Sequence, residues 1–439
     1  MPLPVPEGYR PLDERTLPAY LAGLPAIAER LGGSPADWRA ADVGDGNVNL
    51  VFLVHGAAGS VCVKQALPYV RLVGESWPLT LERIWYEYQA LIECARYVGR
   101  RVPEVYHYDP RLYLLVVECL SPHIILRRGL VDGIRYPRFA EQMADYLARS
   151  LFFTSNLAQP AEEKRRRAAL FGGNVELCRI MEDMVFTEPY RLHERNRWNS
   201  PQMDGLAEEI RRDVPLKLAV SRWKLRYMNS AEALIHGDLH TGSIMVTPQD
   251  TRIIDQEFAF YGPMGFDVGA VLANLLISYI SQNGHATAAQ PREEQQRWLL
   301  ETVEELWERF RDAFLDLWRE HGLGDAYPQP LFADPAAQAA LAEERKAYLQ
   351  RLFDDAMGFC GAKILRRIFG LAHVLDLETI ADPDCRAACE TACVRLARDL
   401  LVHPERYRGI ADVTAAAAAL RRDQSPAGSD LQRGTAGAA

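Results

Sequence analysis

Two short loops hold the residues whose types and spacing best fit a chemical reaction. Residues 235–243 read Ile-His-Gly-Asp-Leu-His-Thr-Gly-Ser, and residues 253–257 read Ile-Ile-Asp-Gln-Glu. Phosphoryl transfer needs one carboxylate that holds the acceptor hydroxyl in line and others that hold the magnesium ion bridging the nucleotide phosphates. The pattern therefore predicts Asp238 as a catalytic residue, and Asp255 with Glu257 as Mg²⁺ ligands. The alternative is that these aspartates only cap secondary-structure elements.

Short apolar runs predict how the two loops are held together. Strands are expected at 233–235, 244–246 and 252–254, with a turn at 247–250. Such β-branched runs separated by turn residues favour a hairpin, which would bring Asp238 and Asp255 to one edge. We expect His236 and His240 to shape the first loop rather than to move protons, and Asp267 to cap or anchor the following helix.

A glycine-rich turn between two strands predicts a nucleotide site nearer the N-terminus. The pattern has a turn at 42–49, a strand at 50–54, a turn at 56–59 and a strand at 60–64. Because glycines let backbone amides approach phosphate oxygens, Gly44, Gly46 and Asn47 are predicted to contact the nucleotide. Lys64, a single charge within an apolar run, is predicted to bind its phosphates. The alternative for Lys64 is an ordinary edge-strand lysine.

The segment after this strand pair supplies a partner for Lys64 and a connection between lobes. An apolar stripe at helical spacing predicts a helix over 80–98, from which Glu87, in preference to Glu82, would pair with Lys64. An apolar strand is predicted at 113–117. The connector expected to contact the adenine edge follows it and comprises Glu118, Cys119 and Leu120.

Beyond residue 121 the pattern is mostly helical, which predicts an α+β protein with a small β-rich N-terminal lobe and a larger, mainly helical C-terminal lobe. Helical patterns cover 137–158, 160–184, 202–230, 265–282, 291–321, 334–378 and 384–401. The predicted boundaries are a helical extension at 1–37, an N-lobe at 38–120, a C-lobe at 121–422 and a disordered tail at 423–439.

Composition limits the classes of protein that need consideration. The 439 residues include 48% apolar and 25% charged side chains, as in ordinary globular proteins, and the net charge of -9 argues against nucleic acid as a partner. The sequence has no uninterrupted apolar run of about 18 residues, so no membrane span is predicted. Residues 1–6 lack the basic and apolar regions of a signal peptide, so a cytoplasmic location is expected. Cys385, Cys389 and Cys393 share a helix face and are expected to pack in the core rather than to bind zinc.

Four stretches resemble the S-methyl-5-thioribose kinase family, whose members have a protein-kinase-like fold. They are residues 74–80 (Gly-Glu-Ser-Trp-Pro-Leu-Thr), 236–246, 255–267 and 358–368 (Gly-Phe-Cys-Gly-Ala-Lys-Ile-Leu-Arg-Arg-Ile). With the glycine-rich loop they extend over nearly the whole chain. The His-Gly-Asp-Leu-His core alone also occurs in aminoglycoside, choline and homoserine kinases of the same fold.

The resemblance implies ATP-dependent, Mg²⁺-assisted phosphorylation of the anomeric hydroxyl of methylthioribose in methionine salvage, by a cytosolic homodimer. Position by position, it implies a catalytic role for Asp238, phosphate binding by Lys64, and magnesium binding by Asp255 and Glu257. It also implies substrate contacts from Arg366, Arg367 and Trp77. The alternatives are a surface ion pair for the arginines and lobe packing for Trp77.

Two positions depart from expectation, and two other functions stay open. Gln256 stands where proline is expected between the acids. Ser243 stands where many related kinases have a metal-binding asparagine, although the methylthioribose kinase pattern itself carries serine there. Glu257 would supply the missing oxygen ligand, since Mg²⁺ prefers hard oxygen donors. The alternative functions are another small-molecule kinase of the same fold and a non-catalytic nucleotide-binding scaffold.

Overall fold

The computed structural model describes residues 5–44, 48–71 and 74–422. A β-rich N-terminal region precedes a mostly helical C-terminal region, so the predicted α+β, two-lobed fold class is confirmed. Gly46, Asn47 and the predicted tail lie outside the described residues.

The N-lobe is built on an antiparallel sheet with strand order β1-β2-β3-β7-β6. Its elements are α1 (Leu17–Ala22), α2 (Pro25–Leu31), β1 (Arg39–Asp42), β2 (Asn49–His55), β3 (Ser60–Ala66), β4 (Tyr69–Val70), β5 (Gly74–Pro78), α3 (Arg83–Val98), β6 (Val105–Asp109) and β7 (Leu114–Glu118). Lys64 lies in β3 between Val51 and Leu115 of the two flanking strands. The edge-strand alternative for Lys64 is therefore wrong.

Two helices, α1 and α2, form the predicted helical extension within the described residues. Gly23 ends α1, and Pro25 begins α2 at the first helical position, where its missing N–H costs no hydrogen bond. The apolar sides of both helices pack with one face of the sheet, where Leu21, Leu31 and Val63 are fully buried. The helical extension is thus part of the N-lobe core.

Helices dominate the C-lobe, with short strands only around the loops of interest. The helices are α4 (Leu126–Val131), α5 (Phe139–Phe153), α6 (Ala161–Phe171), α7 (Val175–Phe186), α8 (Asp204–Arg212), α9 (Val214–Asn229), α10 (Met264–His285), α11 (Glu293–His321), α12 (Pro335–Phe369), α13 (Leu375–Glu378), α14 (Pro383–Val402) and α15 (Ile410–Arg422). The strands are β8 (Ile124–Ile125), β9 (Ala233–Ile235), β10 (Ile244–Val246), β11 (Thr251–Ile253) and β12 (Phe260–Gly262).

Three of the predicted helical segments have different bounds in the structure. The pattern at 160–184 divides at Gly172 into α6 and α7. The pattern at 202–230 divides at Asp213, whose carboxylate accepts the Leu216 N–H at 2.9 Å and so caps α9. The pattern at 334–378 ends early, because Gly370 follows α12 and a separate helix begins afterwards.

The centre of the C-lobe is α10, which packs along α12. By length and composition α10 could cross a membrane, with mean hydropathy 1.5, but its apolar window is 100% buried inside the protein. A Cβ on Gly269 would lie 2.4 Å from the Ala356 carbonyl oxygen, so glycine permits the two helices to approach closely. This approach brings the last turns of α12 beneath the catalytic loop. On the adjoining α14, Cys389 and Cys393 are buried, as the core-packing prediction requires.

Candidate active site

The first loop connects β9 to β10, and its backbone is fixed from below by α10. Gly237 has φ +83°, and a Cβ there would lie 2.2 Å from the Phe258 carbonyl oxygen, so only glycine fits. The carboxylate of Asp267 accepts the His236 N–H at 2.6 Å and the Gly237 N–H at 3.1 Å. Of the two predicted roles, capping of α10 is wrong, because no side chain caps that helix, and anchoring is confirmed, because Asp267 ties α10 to the loop that presents Asp238.

Two histidines hold the same loop together through defined ring nitrogens. Nδ1 of His236 accepts the Asp238 N–H at 3.3 Å, and its Nε2 donates to the Ile254 carbonyl at 2.8 Å. Nδ1 of His240 accepts the Gly242 N–H at 2.9 Å, which leaves the proton of the neutral ring on Nε2. That nitrogen faces Oδ2 of Asp238 at 3.4 Å. The predicted loop-shaping role of both histidines is confirmed.

Asp238 meets two cations from α12 on a single oxygen. Its Oδ1 accepts hydrogen bonds from Lys363 Nζ at 2.8 Å and from Arg366 Nη1 at 2.9 Å. Burial would raise the pKa of Asp238, but Lys363 and Arg366, with His240, outweigh it and hold that pKa well below its ordinary value. Asp238 is thus an ionised, weakly basic carboxylate. Lys363 was missed by sequence reasoning, although it lies one helical turn before the predicted arginines.

The arginine pair is buried, so its interpretation as a surface ion pair is wrong. Arg366 is 4% exposed and Arg367 is 5% exposed. Adjacent helical residues point about 100° apart, and they take different partners: Arg366 binds Asp238, whereas Nη1 of Arg367 donates to the Ala372 carbonyl at 3.2 Å. Burial and the neighbouring Arg366 hold the pKa of Arg367 well below its ordinary value.

A further arginine lies beneath this pair on α4. Arg127 donates to Asn274 Oδ1 at 2.9 Å and lies 3.4 Å from the buried carboxylate of Asp376. The electrostatic influence of Arg127 and Asp376 reaches Arg367. Neither residue has a sequence signal that would have identified it. Both are brought to the site only by the packing of α4 and α13.

Lys64 pairs with two acidic side chains, Glu87 of its own lobe and Asp255 of the C-lobe. Its Nζ contacts Oε1 of Glu87 at 2.5 Å, which confirms Glu87 rather than Glu82 as its partner, and it also pairs with Oδ1 of Asp255. Burial would lower the pKa of Lys64, but Asp255, Glu87 and Glu257 outweigh it and raise that pKa. The cleft therefore holds a permanently charged lysine.

Glu257 is oriented by two N-lobe residues that the sequence did not single out. Its Oε2 accepts a hydrogen bond from Asn49 Nδ2 at 2.8 Å and lies 3.6 Å from Nε of the fully buried Arg83. The same Arg83 nitrogen donates to Asn49 Oδ1 at 2.9 Å. Asn49 thus ties the strand after the glycine-rich turn to the loop of Asp255.

The donor set in the cleft fits a magnesium ion. Asp255 keeps 43% of its side chain exposed while it pairs with Lys64, and its backbone has the left-handed φ of +65°, a strained geometry of the kind found at functional sites. Glu257 lies close enough to act electrostatically on the same lysine, Lys64. Two carboxylates with remaining ligands from phosphates and water are the usual Mg²⁺ arrangement. The Ser243 hydroxyl donates to the Asp238 carbonyl at 3.2 Å, so it helps to hold the first loop.

The predicted adenine connector begins at Glu118, the last residue of β7, and that residue already has partners within the protein. The carboxylate of Glu118 pairs with the buried Arg252, and its N–H donates to the Glu104 carbonyl at 2.8 Å. The carboxylate and the N–H of Glu118 are therefore already paired within the protein, and contact of the connector with a nucleotide stays a prediction. Cys119 and Leu120 are half-buried beside it.

Trp77 lies on the β4–β5 hairpin, where its ring contacts the C-lobe. The guanidinium carbon of Arg195 is 4.5 Å from the Trp77 ring centroid, and Arg195 is in turn paired with the buried Glu188. This contact is the lobe packing that was considered as the alternative for Trp77. It also places the tryptophan across the boundary between the lobes.

The two lobes and the charged cleft between them are those of a phosphotransferase, and comparison with known proteins agrees. Residues 40–312 match the model of the "Phosphotransferase enzyme family". Methylthioribose kinase 1 of Oryza sativa subsp. japonica is 46% identical over 420 residues, which cover 95% of this chain and 97% of that protein. Methylthioribose kinase of Escherichia coli O45:K1 (strain S88 / ExPEC) is 41% identical over 410 residues, which cover 93% and 97%.

A more distant likeness is found among solved structures. A glucosamine kinase in complex with glucosamine, ADP and inorganic phosphate aligns over 90% of this chain and 88% of its own, with 15% identity and a TM-score of 0.44. The two methylthioribose kinases differ from it in sequence identity, at 46% and 41% over nearly their whole length. The chain therefore belongs to the methylthioribose kinases of the phosphotransferase enzyme family, and it is a small-molecule kinase.

Proposed function

We propose that this chain transfers the γ-phosphoryl group of ATP to the anomeric C1 hydroxyl of S-methyl-5-thioribose, giving S-methyl-5-thioribose 1-phosphate in methionine salvage. The names of relatives at 46% and 41% identity support the substrate. The observation that best supports the chemistry is Asp238, whose Oδ1 is held by two cations while Oδ2 stays available beside a neutral histidine.

Lys64 would bind the ATP phosphates from the N-lobe side of the cleft. In the structure it is paired with Glu87 and Asp255, so a nucleotide would share or replace the Asp255 contact. Asp255 and Glu257 would hold Mg²⁺, which when bound neutralises charge on the phosphate oxygens. Asn49 would keep Glu257 directed at that position through its 2.8 Å hydrogen bond.

Asp238 would position the acceptor hydroxyl rather than act as a strong base. Its low pKa makes early proton removal unfavourable, and a loose transition state does not require it. The sugar oxygen forms its bond to phosphorus, the bond from phosphorus to the β–γ bridging oxygen breaks, and that electron pair leaves on ADP. The hydroxyl proton passes to Oδ2 of Asp238 late in the transfer and then to solvent. An anomeric hydroxyl is more acidic than an ordinary alcohol, which suits a weak base.

The charge around Asp238 disfavours polycationic acceptors such as aminoglycosides. The cations around Asp238 are the buried Lys363, Arg366 and Arg367 and the half-buried Arg127, and the buried carboxylates near them are those of Asp238, Asp267 and Asp376. The four cations exceed the three carboxylates by one in this set. A positively charged substrate would meet like charge in a site that solvent screens poorly.

A substrate panel tests this proposal. ATP consumption is measured with methylthioribose, choline, homoserine and kanamycin, each at saturating concentration with Mg²⁺. We expect turnover with the thiosugar only, and phosphorus-31 NMR of the product should show an anomeric phosphate. Turnover of another acceptor alone would assign a different small-molecule kinase. No consumption with any acceptor would favour the non-catalytic scaffold.

The remaining predictions from the sequence concern the oligomeric state, the cellular location, the lobe boundaries and a contact of Trp77 with the substrate. The homodimer, the cytosolic location, the lobe boundaries and contact of Trp77 with the methylthio group stay predictions. Light scattering coupled to size exclusion tests the dimer, because a protomer mass of 49.4 kDa should double. A Trp77→Ala variant with raised KM for the thiosugar, but unchanged KM for ATP, would support substrate contact.

A further inference from the structure

Lys363 is a buried ammonium aimed at the catalytic carboxylate. Its side chain is 2% exposed, and Nζ lies 2.8 Å from Oδ1 of Asp238. The same nitrogen lies 4.5 Å from the ring centroid of Phe266, in the geometry of a cation–π contact. Lys363 and Arg366 are three residues apart on α12, so they share one helix face and converge on one oxygen.

This environment differs from that of the other buried lysine in the C-lobe. Lys164 is 6% exposed, donates to the Ala231 carbonyl and lies 5.6 Å from the Tyr261 ring centroid. That lysine satisfies a backbone oxygen, as a structural residue does. Lys363 instead brings a second positive charge to Oδ1 of Asp238, which Arg366 already binds. Burying this second cation costs desolvation free energy. Neutralising Asp238 does not need both.

We propose that Lys363 is a positioning residue for phosphoryl transfer, which with Arg366 fixes Oδ1 of Asp238 so that Oδ2 receives the acceptor hydroxyl. The inference rests on the proposed function only in taking Asp238 as the residue that holds the acceptor. Two donors on Oδ1 restrict rotation of the carboxylate, whereas Arg366 alone on Oδ1, with Nε2 of His240 3.4 Å from Oδ2, would restrain it less. The rotational restraint is what an in-line transfer requires.

The charge state of Lys363 is set by the groups around it. Burial lowers its pKa to about 8, opposed by Asp238 and reinforced by Arg366 and Arg367. The carboxylate of Asp267 on α10 also interacts electrostatically with Lys363. Because the charged ammonium makes the stronger hydrogen bond, the restraint on Asp238 is complete below about pH 8 and weakens as the pH rises through that value.

Lys363→Met tests the inference, with Lys164→Met as a matched control. Both changes replace a buried lysine by an apolar side chain of similar length, but only the first touches Asp238. We expect kcat of Lys363→Met to fall about 30- to 100-fold at pH 7, with KM for ATP within about threefold of wild type. Lys164→Met should keep the wild-type kcat per folded molecule, whatever its thermal stability.

The pH dependence separates positioning from mere structural support. In the wild type, kcat should decline above about pH 8. In Lys363→Met that decline should be absent, and in Lys363→Arg activity should be partly restored and the decline moved up by at least about one pH unit, because arginine stays protonated. If the methionine variant fails to fold, the arginine variant decides alone.

Each outcome bears on one of the two proposals. A Lys363→Met enzyme within about threefold of the wild-type kcat, or an unchanged alkaline decline in Lys363→Arg, would overturn the positioning role. A rise in kcat would also overturn it, since it would mean that basicity rather than orientation limits Asp238. If the wild type uses a different acceptor, the proposed substrate fails and the variants are compared on that acceptor. If none is used, slow ATP hydrolysis, with water as acceptor, gives the same comparison.

Discussion

His240 should make the folding stability of this enzyme depend on pH in a defined window. Burial lowers the pKa of His240 to about 3, against the opposing effect of Asp238 and with the help of Arg367. The unfolded chain takes up this proton near pH 6.5, whereas the folded chain resists it until about pH 3. Stability is therefore intact above pH 6.5 and is lost as the pH falls from there.

The magnitude follows from the two pKa values. Between pH 7.5 and pH 5 this proton raises the unfolding equilibrium constant by about 1.5 log units, which lowers the free energy of unfolding by about 2 kcal/mol. About 20% of the side chain is exposed, so solvent reduces the expected loss to between about 1 and 2 kcal/mol. At pH 5 an unfolded aspartate is still ionised, so Asp238 hardly contributes to this window.

His240→Asn isolates this contribution. The asparagine oxygen can take the place of Nδ1 as acceptor for the Gly242 N–H, but the side chain does not titrate. Urea unfolding at pH 7.5 and pH 5, followed by circular dichroism and tryptophan fluorescence, gives both free energies. The wild type should lose between about 1 and 2 kcal/mol more than the variant on acidification. His373, whose pKa burial lowers to about 4, contributes equally to both proteins. Equal losses in the two proteins would refute the buried, neutral state of His240.

Three further substitutions test the loops directly. Gly237→Ala should lower the free energy of unfolding by about 2–4 kcal/mol, because φ is +83° and the new Cβ would meet the Phe258 carbonyl; an undiminished urea midpoint would contradict this. Asn49→Leu should raise the Mg²⁺ concentration for half-maximal activity about tenfold, because Glu257 loses its 2.8 Å donor; an unchanged Mg²⁺ titration would remove Asn49 from that role. Asp238→Asn should cut kcat on the order of 100-fold or more and leave ATP affinity within about threefold, measured by turnover and calorimetry. Lost ATP affinity with preserved single-turnover chemistry would reverse that assignment.

Local patterns were sufficient where a residue's neighbours in the chain decide its conformation. The strand bearing Lys64, the helix bearing Glu87 and the β10–β11 hairpin were all predicted from periodicity and turn residues. The helix breaks at Gly172 and Asp213 were missed, because the apolar periodicity continues across them. At those positions a glycine turn and an aspartate cap override the pattern.

The sequence alone identified the types of residue that do the chemistry, because the aspartate loop, the acidic pair and the buried lysine each lie within a short motif. Tertiary structure decided which other charges surround them. Lys363, Asn49 and Arg83 come from a distant helix, a strand end and the other lobe, and their partners lie between 34 and 208 positions away along the chain. Electrostatic interactions depend on distance in space and on exclusion of water. A one-dimensional pattern records neither, so the restraint on Asp238 emerged only when α10 and α12 were packed together.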